Sequence, residues 1–251
     1  MRLLSCAVVL SLVASSCATA DTRDLQAVLS SGEQRVALIE LFTSEGCSSC
    51  PPADRWLTDL QEEPGLWKDY TPVAFHVDYW DYIGWKDRFA RAEYSARQRQ
   101  YVAEGGANFV YTPGVFLQGV AWSNWRTGKP VKTDRSRVGN LSVSVDGGFA
   151  AIQFNNSRPT PGQLTAHVAL LGMNLETAVR SGENRNRKLH HDFVALNVVS
   201  IQLDNTASGY TANTPLPDIT SDTNDLALAV WVSAGGAQRP IQSVGGLLRR
   251  R

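Results

Sequence analysis

Val36-Ala37-Leu38-Ile39-Glu40-Leu41-Phe42 leads into Thr43-Ser44-Glu45-Gly46-Cys47-Ser48-Ser49-Cys50-Pro51-Pro52, then into Ala53-Asp54-Arg55-Trp56-Leu57-Thr58-Asp59-Leu60. The first piece is a continuous, mostly apolar run. It reads as a strand buried on both faces, of the kind found in parallel sheets. Thr43 to Gly46 is a turn. Pro51-Pro52 favour the first turn of a helix, and Trp56, Leu57 and Leu60 follow at helical spacing. Two cysteines three residues apart therefore stand at a strand-to-helix junction.

Working outward, Pro64-Gly65 ends that helix, and Pro72-Val73-Ala74-Phe75-His76-Val77-Asp78 is a second strand. Lys86 to Ala103 reads as a second helix, with Phe89, Tyr94, Tyr101 and Val102 against a face carrying Arg91, Arg97 and Arg99. Gly105-Gly106 caps it. Thr112-Pro113-Gly114-Val115-Phe116-Leu117 opens a third strand. This order is βαβαβ and implies a parallel sheet core with right-handed crossovers. From about residue 139 the texture changes. Leu141 to Val145 alternates strictly, and Phe149 to Phe154, Leu164 to Leu171, Phe193 to Leu203 and Leu226 to Val232 are further strand-like runs. The expectation is an α/β fold over residues 21–138 and an appended antiparallel sheet or small sandwich over 139–251, with Arg126 to Arg137 as linker.

Residues 1–20 read as an export signal. Met1-Arg2 supplies a positive charge, Leu3 to Ala14 is apolar, and Ala18-Thr19-Ala20 offers a cleavage site. The run is too short for a stable membrane span. In a rival reading Ala14-Ser15-Ser16-Cys17 is a lipoprotein box, with Cys17 acylated as an anchor. Either way the protein is expected outside the cytoplasm, in the periplasm, where disulfides persist. Cleavage after Ala20 removes Arg2, leaving 23 Lys+Arg against 24 Asp+Glu. That near-neutral balance gives no footprint for nucleic acid or an acidic membrane surface. Arg249-Arg250-Arg251 reads as a solvated terminus.

Of the four cysteines in the chain, Cys6 and Cys17 lie in the leader. The remaining pair, Cys47 and Cys50, closes a very small ring, which holds a fold together weakly. The spacing suits opening and closing, because one thiol can attack a partner while the other releases it. Cys47 is expected at an exposed helix mouth as the attacking thiolate, with Cys50 buried one turn in as the resolving thiol. Glu45 opposes the thiolate; Ser48 and Ser49 can donate hydrogen bonds to it. A permanently closed bridge is the bland alternative. Zinc would need further ligands, and His76, His167, His190 and His191 lie elsewhere in sequence. No metal site and no cofactor is assigned.

Pro113 reads as a cis proline facing the disulfide with Thr112, where an extended substrate strand docks, or as an ordinary trans proline at a strand start. Glu40, a carboxylate in an apolar strand, is costly to bury without a purpose. It reads as a proton acceptor for Cys50 or as a strand-end group reaching solvent. Tyr79-Trp80-Asp81-Tyr82 to Trp85 reads as a loop burying its own rings, or as a wall for the disulfide. His190-His191-Asp192 reads as a strand-edge cluster with ordinary hydrogen bonds, or as a catalytic or metal-binding group.

The stretch Glu40 to Asp54 resembles the active-site segment of the thioredoxin-like superfamily. With His76-Val77-Asp78-Tyr79-Trp80-Asp81, Gly84-Trp85-Lys86-Asp87, Arg97-Gln98 with Tyr101, Tyr111-Thr112-Pro113, and Gly182-Glu183-Asn184 with Leu189 and His191, the chain resembles a family of secreted bacterial proteins. That family is catalogued only as domain of unknown function twelve twenty-three. The resemblance implies a thioredoxin-like fold with an appended β region and a site at Cys47, Cys50 and Thr112-Pro113. It brings no settled activity. Gly46 stands where thioredoxin itself has a tryptophan. The function expected is thiol–disulfide exchange with periplasmic protein thiols or disulfides, in either redox direction. A non-catalytic binding module and a metallochaperone are the rivals.

Overall fold

The computed structural model describes residues 22–158, 160, 162–221 and 223–251. The leader, with Cys6, Cys17 and both processing alternatives, lies outside the described residues. The protein is mixed α/β, with two α-helices among the described residues and two large sheets. After β1 (Leu25–Ser30) come β2 (Ala37–Thr43), α1 (Pro51–Asp59), β3 (Tyr70–His76), α2 (Ala92–Ala103), β4 (Gly114–Leu117) and β5 (Val120–Ala121). Then follow β6 (Gly139–Asp146), β7 (Phe149–Asn156), β8 (Leu164–Gly172), β9 (Leu175–Ala178), β10 (Lys188–His191) and β11 (Val194–Gln202). The chain closes with β12 (Asp204–Thr206), β13 (Gly209–Pro215), β14 (Leu226–Ala234), β15 (Pro240–Leu247) and β16 (Arg249–Arg250).

The sequence order strand–helix–strand–helix–strand is present, but the core is not all parallel. β2 and β3 pair in parallel from Ala37 opposite Tyr70 to Thr43 opposite His76. β4 runs antiparallel to β2, with Gly114 opposite Phe42. The cause is the connection. The chain enters α2 at the end of β3, where the Arg91 N–H donates to the His76 carbonyl at 3.2 Å. Residues 104–113 then carry it back to that same end before β4 begins. The second helix also starts later than its sequence suggests. Asp87 Oδ1 accepts the Phe89 N–H at 2.9 Å, a local turn that holds 86–91 out of the helix.

The eight-stranded sheet has the order β15-β14-β8-β11-β3-β2-β4-β5. The four strands on one side of β3 therefore come from the second half of the chain, and β11 joins β3 in parallel at Val194 opposite Ala74. The change of texture near residue 139 marks the start of β6, not a change of sheet throughout. Strands β8 and β14 are buried along nearly their whole length, because both of their faces are covered. One face packs Val168, Leu170, Leu228 and Val230 against Leu141, Val143, Ile152 and Phe154 of the six-stranded sheet β12-β13-β7-β6-β1-β16. The other face gives Ala169, Leu171, Ala229 and Trp231 to the core around β2, β3 and the helices. No helix among the described residues is long and apolar enough to cross a membrane.

Between β8 and β11 the chain leaves the large sheet. β9 and β10 pair only with each other, from Ala178 opposite Lys188 to Leu175 opposite His191. This arm lies beside α1, where Thr58 donates to Asp192 Oδ2 at 2.9 Å. Its tip, residues 179–187, reaches the disulfide.

Candidate functional site at the Cys47–Cys50 bridge

Pro51 opens α1 at its first turn and Cys50 is the N-cap, without a side-chain capping bond. The fixed φ of proline suits that first helical position. It is therefore Cys50, not Cys47, that stands at the helix mouth. The two cysteines are bridged, with Cα atoms 5.4 Å apart. Exposure was expected at Cys47, yet it is 1% exposed and Cys50 is 0% exposed. Ser48 and Ser49 alone face solvent in this turn, and Ser49 Oγ lies 3.4 Å from Cys47 Sγ.

The arm supplies the cover that a local reading lacks. Asn184, itself fully buried, donates from Nδ2 to the carbonyls of Glu45 and Cys47, both at 2.9 Å. Arg187 donates to Asn184 Oδ1 at 2.8 Å and so fixes which way the amide points. Glu183 Oε2 accepts the Ser48 N–H at 3.1 Å. Gly182, at φ +73°, packs against Trp85, where a Cβ would lie 3.1 Å from the tryptophan Cβ.

The Thr112–Pro113 peptide is cis. The pairing of Gly114 with Phe42 puts Pro113 level with Thr43, at the end of β2 from which the disulfide turn emerges. Trp80 joins the two loops. Its Nε1 donates to Thr112 Oγ1 at 2.7 Å, and a Cβ on Gly46 would come within 3.2 Å of the Trp80 Cβ. A side chain at position 46 would fit only if Trp80 gave way by a few tenths of an ångström. Gln98 holds the proline loop from below, donating to the Tyr111 carbonyl at 2.7 Å and accepting from Tyr79 Oη at 3.0 Å.

Glu40 is fully buried and does not reach solvent. Its side chain shares a face of β2 with Phe42, toward α2. Arg97 Nε donates to Oε1 at 2.6 Å and Tyr101 Oη donates to Oε2 at 2.5 Å. Thr43, three residues on, faces the opposite way, toward α1. There it donates to Asp54 Oδ1 at 2.8 Å. The carboxylate on the disulfide's side of the strand is therefore Asp54, one turn beyond Cys50, whose carbonyl accepts the Asp54 N–H at 3.2 Å.

Asp54 belongs to a buried titratable group. Burial pushes its carboxyl up to about 7, against the pull of nearby His76. His76 Nδ1 lies 2.7 Å from Asp87 Oδ2. Burial opposes its charge, but Asp87 prevails and holds His76 at about 8. Burial opposes the charge of Asp87, but His76 together with the Glu45 and Phe89 N–H groups holds it below the usual carboxylate range. Its Oδ2 also accepts the Glu45 N–H at 2.8 Å. Burial, then Asp87, raises Glu45, although Trp85 Nε1 donates to its Oε2 at 2.8 Å. His191 of the arm is held neutral by burial, down at about 3. Its Nε2 stands 3.7 Å from Glu45 Oε1, and its ring meets His76 edge-on at 4.9 Å. Glu45 Oε1, His76 Nε2 and both His191 nitrogens make no well-formed hydrogen bond to any described residue. Among the described residues no group of three or more His, Cys, Asp or Glu has an arrangement that holds a metal ion.

The structure thus brings Cys47, Cys50, Thr112 and Pro113 to one place and turns Glu40 away. Sequence reasoning passed over Asp54, Asp87 and Asn184 as functional residues. Asp54 had a signal, its position four residues after Cys50 on a helix. Asp87 and Asn184 had only their places in segments that carry the family resemblance.

Fold and site define a mixed α/β protein with a bridged Cys-Ser-Ser-Cys turn, closed over by an arm from its β-rich half. The chain belongs to the family described as protein of unknown function (DUF1223), whose family model matches residues 38–233. Among solved structures it is similar to a crystal structure of an Agrobacterium tumefaciens protein. That match has a TM-score of 0.60 and 25% identity and covers 85% of this chain and 94% of the other. It is also similar in fold to HBP35 of Porphyromonas gingivalis, with a TM-score of 0.57 and 9% identity, covering 86% and 76% of the two chains. No protein with a curated description matches the chain.

Proposed function

We propose that this protein is an exported, thioredoxin-like thiol–disulfide oxidoreductase that exchanges its Cys47–Cys50 bridge with protein thiols or disulfides. The strand order β3-β2-β4-β5 around α1 and α2, with Pro113 beside the disulfide turn, supports the thioredoxin-like reading. The observation that carries the function is Asp54. It is a buried carboxyl raised to about 7, one helical turn behind Cys50, where it can supply or accept the proton that opening and closing the bridge requires.

In the direction that oxidises a partner dithiol, a partner thiolate attacks Cys47 Sγ. A new S–S bond forms, the bridge breaks, and Cys50 leaves as a thiolate that takes its proton from Asp54. The partner's second thiolate attacks its own sulfur in the mixed disulfide and releases Cys47. The partner loses two electrons and the protein gains them. The same steps reversed reduce a partner disulfide.

The test is reversible titration of the bridge in glutathione buffers, together with turnover on a reduced, unfolded protein and on a disulfide-bonded one. Turnover in either direction that disappears in Cys47→Ser and in Cys50→Ser is the expected result. A bridge that stays closed throughout the buffer range, with no turnover, sinks the proposal. That outcome would favour a second reading, a binding module with a permanently shut disulfide. The near-complete burial of both cysteines is the observation on its side.

A further inference from the structure

Disulfide exchange needs a third sulfur to approach along the S–S axis. With Cys47 1% exposed and Cys50 0% exposed, this conformation leaves no such path. Some element must move for the bridge to react. Strand β2 is central in the large sheet, and α1 is packed into its core by Ala53 and Leu57. The arm is different. Its two strands pair only with each other, and its tip reaches the disulfide turn through side chains.

Those side chains bind backbone. Asn184 satisfies the carbonyls of Glu45 and Cys47, and Glu183 satisfies the N–H of Ser48. The turn around Cys47 therefore displays two acceptors and one donor, the groups through which a protein holds an extended chain. If the tip withdraws, these groups need replacements, and leaving a buried one unmade is costly. A polypeptide offers N–H and C=O groups along its length. A small dithiol offers none of that pattern.

We propose that the arm tip, Ser181 to Asn184, sits in the seat of a partner polypeptide and holds the bridge closed until an extended, cysteine-bearing segment displaces it. Asn184 is the latch, and Glu183 is the weaker second tie at the rim. This inference rests on the bridge being reactive, and it names both the partner class and the contact that partner replaces.

The experiment follows reduction of the bridge in the oxidised full chain by dithiothreitol, with release of thiols as the readout. Wild type should react much more slowly in native buffer than in denaturant. Asn184→Ala should speed native reduction about tenfold, and Glu183→Ala about twofold to threefold, in proportion to the hydrogen bonds each removes. A cysteine-bearing extended peptide dithiol should outpace dithiothreitol on wild type, and Asn184→Ala should narrow that preference. Equal wild-type rates in native buffer and denaturant would overturn the proposal, as would unchanged rates in both variants. If Asn184→Ala does not fold, Glu183→Ala decides, because Glu183 is exposed and its loss does not open the core. Turnover assays on the same samples separate the two readings. Faster native reduction without turnover keeps the cap and removes the oxidoreductase. Turnover with unchanged reduction rates does the reverse.

Discussion

His167 and the pair His76–His191 are buried in the same protein and treated in opposite ways. His167 lies in β8 with both ring nitrogens satisfied, Nδ1 by Ser200 Oγ at 2.8 Å and Nε2 by Ser233 Oγ at 3.0 Å. It stacks on Trp231 with ring centroids 5.2 Å apart. Near the disulfide, His76 Nε2 and both His191 nitrogens lack a well-formed bond. Two buried glutamates repeat the contrast. Glu40 has both oxygens engaged by Arg97 and Tyr101, while Glu45 has one oxygen held by Trp85 and the other without a well-formed bond, facing Thr177 and His191. The lesson is that burial of a charged or titratable group does not mark function. A fully paired group has one stable state and serves the fold. A half-paired buried group is costly to keep, and these three half-paired residues, Glu45, His76 and His191, gather beside the disulfide turn.

That contrast can be broken by experiment, and the largest effect belongs to the paired side. Glu40→Gln leaves the Arg97 guanidinium buried without its counter-charge. It should destabilise the protein by about 3–5 kcal/mol in urea unfolding. The rate at which dithiothreitol opens the bridge in the folded fraction should not change. A large change in that rate would tie Glu40 to the disulfide after all.

Asp54→Asn should do the opposite. The folded state raises this carboxyl from 3.8 to about 7, so its contribution to stability is full below the unfolded value and is lost as pH rises through the folded one. Asn mimics the protonated form. The variant should gain on wild type as pH rises, by about 2–4 kcal/mol near pH 8. It should also flatten the rise in bridge-reduction rate around neutrality. A variant that tracks wild type at every pH would remove Asp54 from the account.

His167 gives a medium effect of the other sign. Its folded value is depressed from 6.5 to about 3 by burial, with Arg97 adding to it. Its contribution is present above the unfolded value and is lost as pH falls toward the folded one. Between neutrality and about pH 5, wild type should lose about 2 kcal/mol more than His167→Gln in matched unfolding curves. Parallel pH profiles would contradict it. The smallest effect is on the arm's outer face. Lys188 and Glu176 form an exposed ion pair at 2.6 Å. Lys188→Ala should shift stability by no more than about 0.5 kcal/mol and leave bridge reduction unchanged. A faster bridge there would mean that the arm is held by its strands and not by Asn184.

Much of the fold was legible because its signals are local. The apolar runs of β2, β3, β8, β11 and β14 stand out, and α1 has both its prolines and its helical spacing. The strands that went unread lack such signals. In β15, Gly245 and Gly246 interrupt the apolar pattern, and a Cβ on Gly245 would lie 2.3 Å from the Trp67 ring. That glycine serves a contact between distant segments. The direction of β4 was illegible for a similar reason, since it depends on where residues 104–113 return the chain. At the site, the cysteine pair and Thr112-Pro113 could be picked out from the sequence. The burial of Cys47 could not, because Asn184, the residue bonded across it, is 137 positions away.

Sequence alone determined that Cys47 and Cys50 stand three residues apart at a strand-to-helix turn, that a proline loop follows the second helix, and that the later half is strand-rich. Each follows from steric and apolar preferences spanning a few neighbouring residues. Only the tertiary structure decided which carboxylate stands behind Cys50, which face Glu40 takes, and that an arm from the β-rich half closes over the bridge. Those outcomes depend on which backbone and side-chain groups meet once distant strands have joined one sheet. Hydrogen bonds between such groups are settled by long-range packing, and local preference does not reach that far.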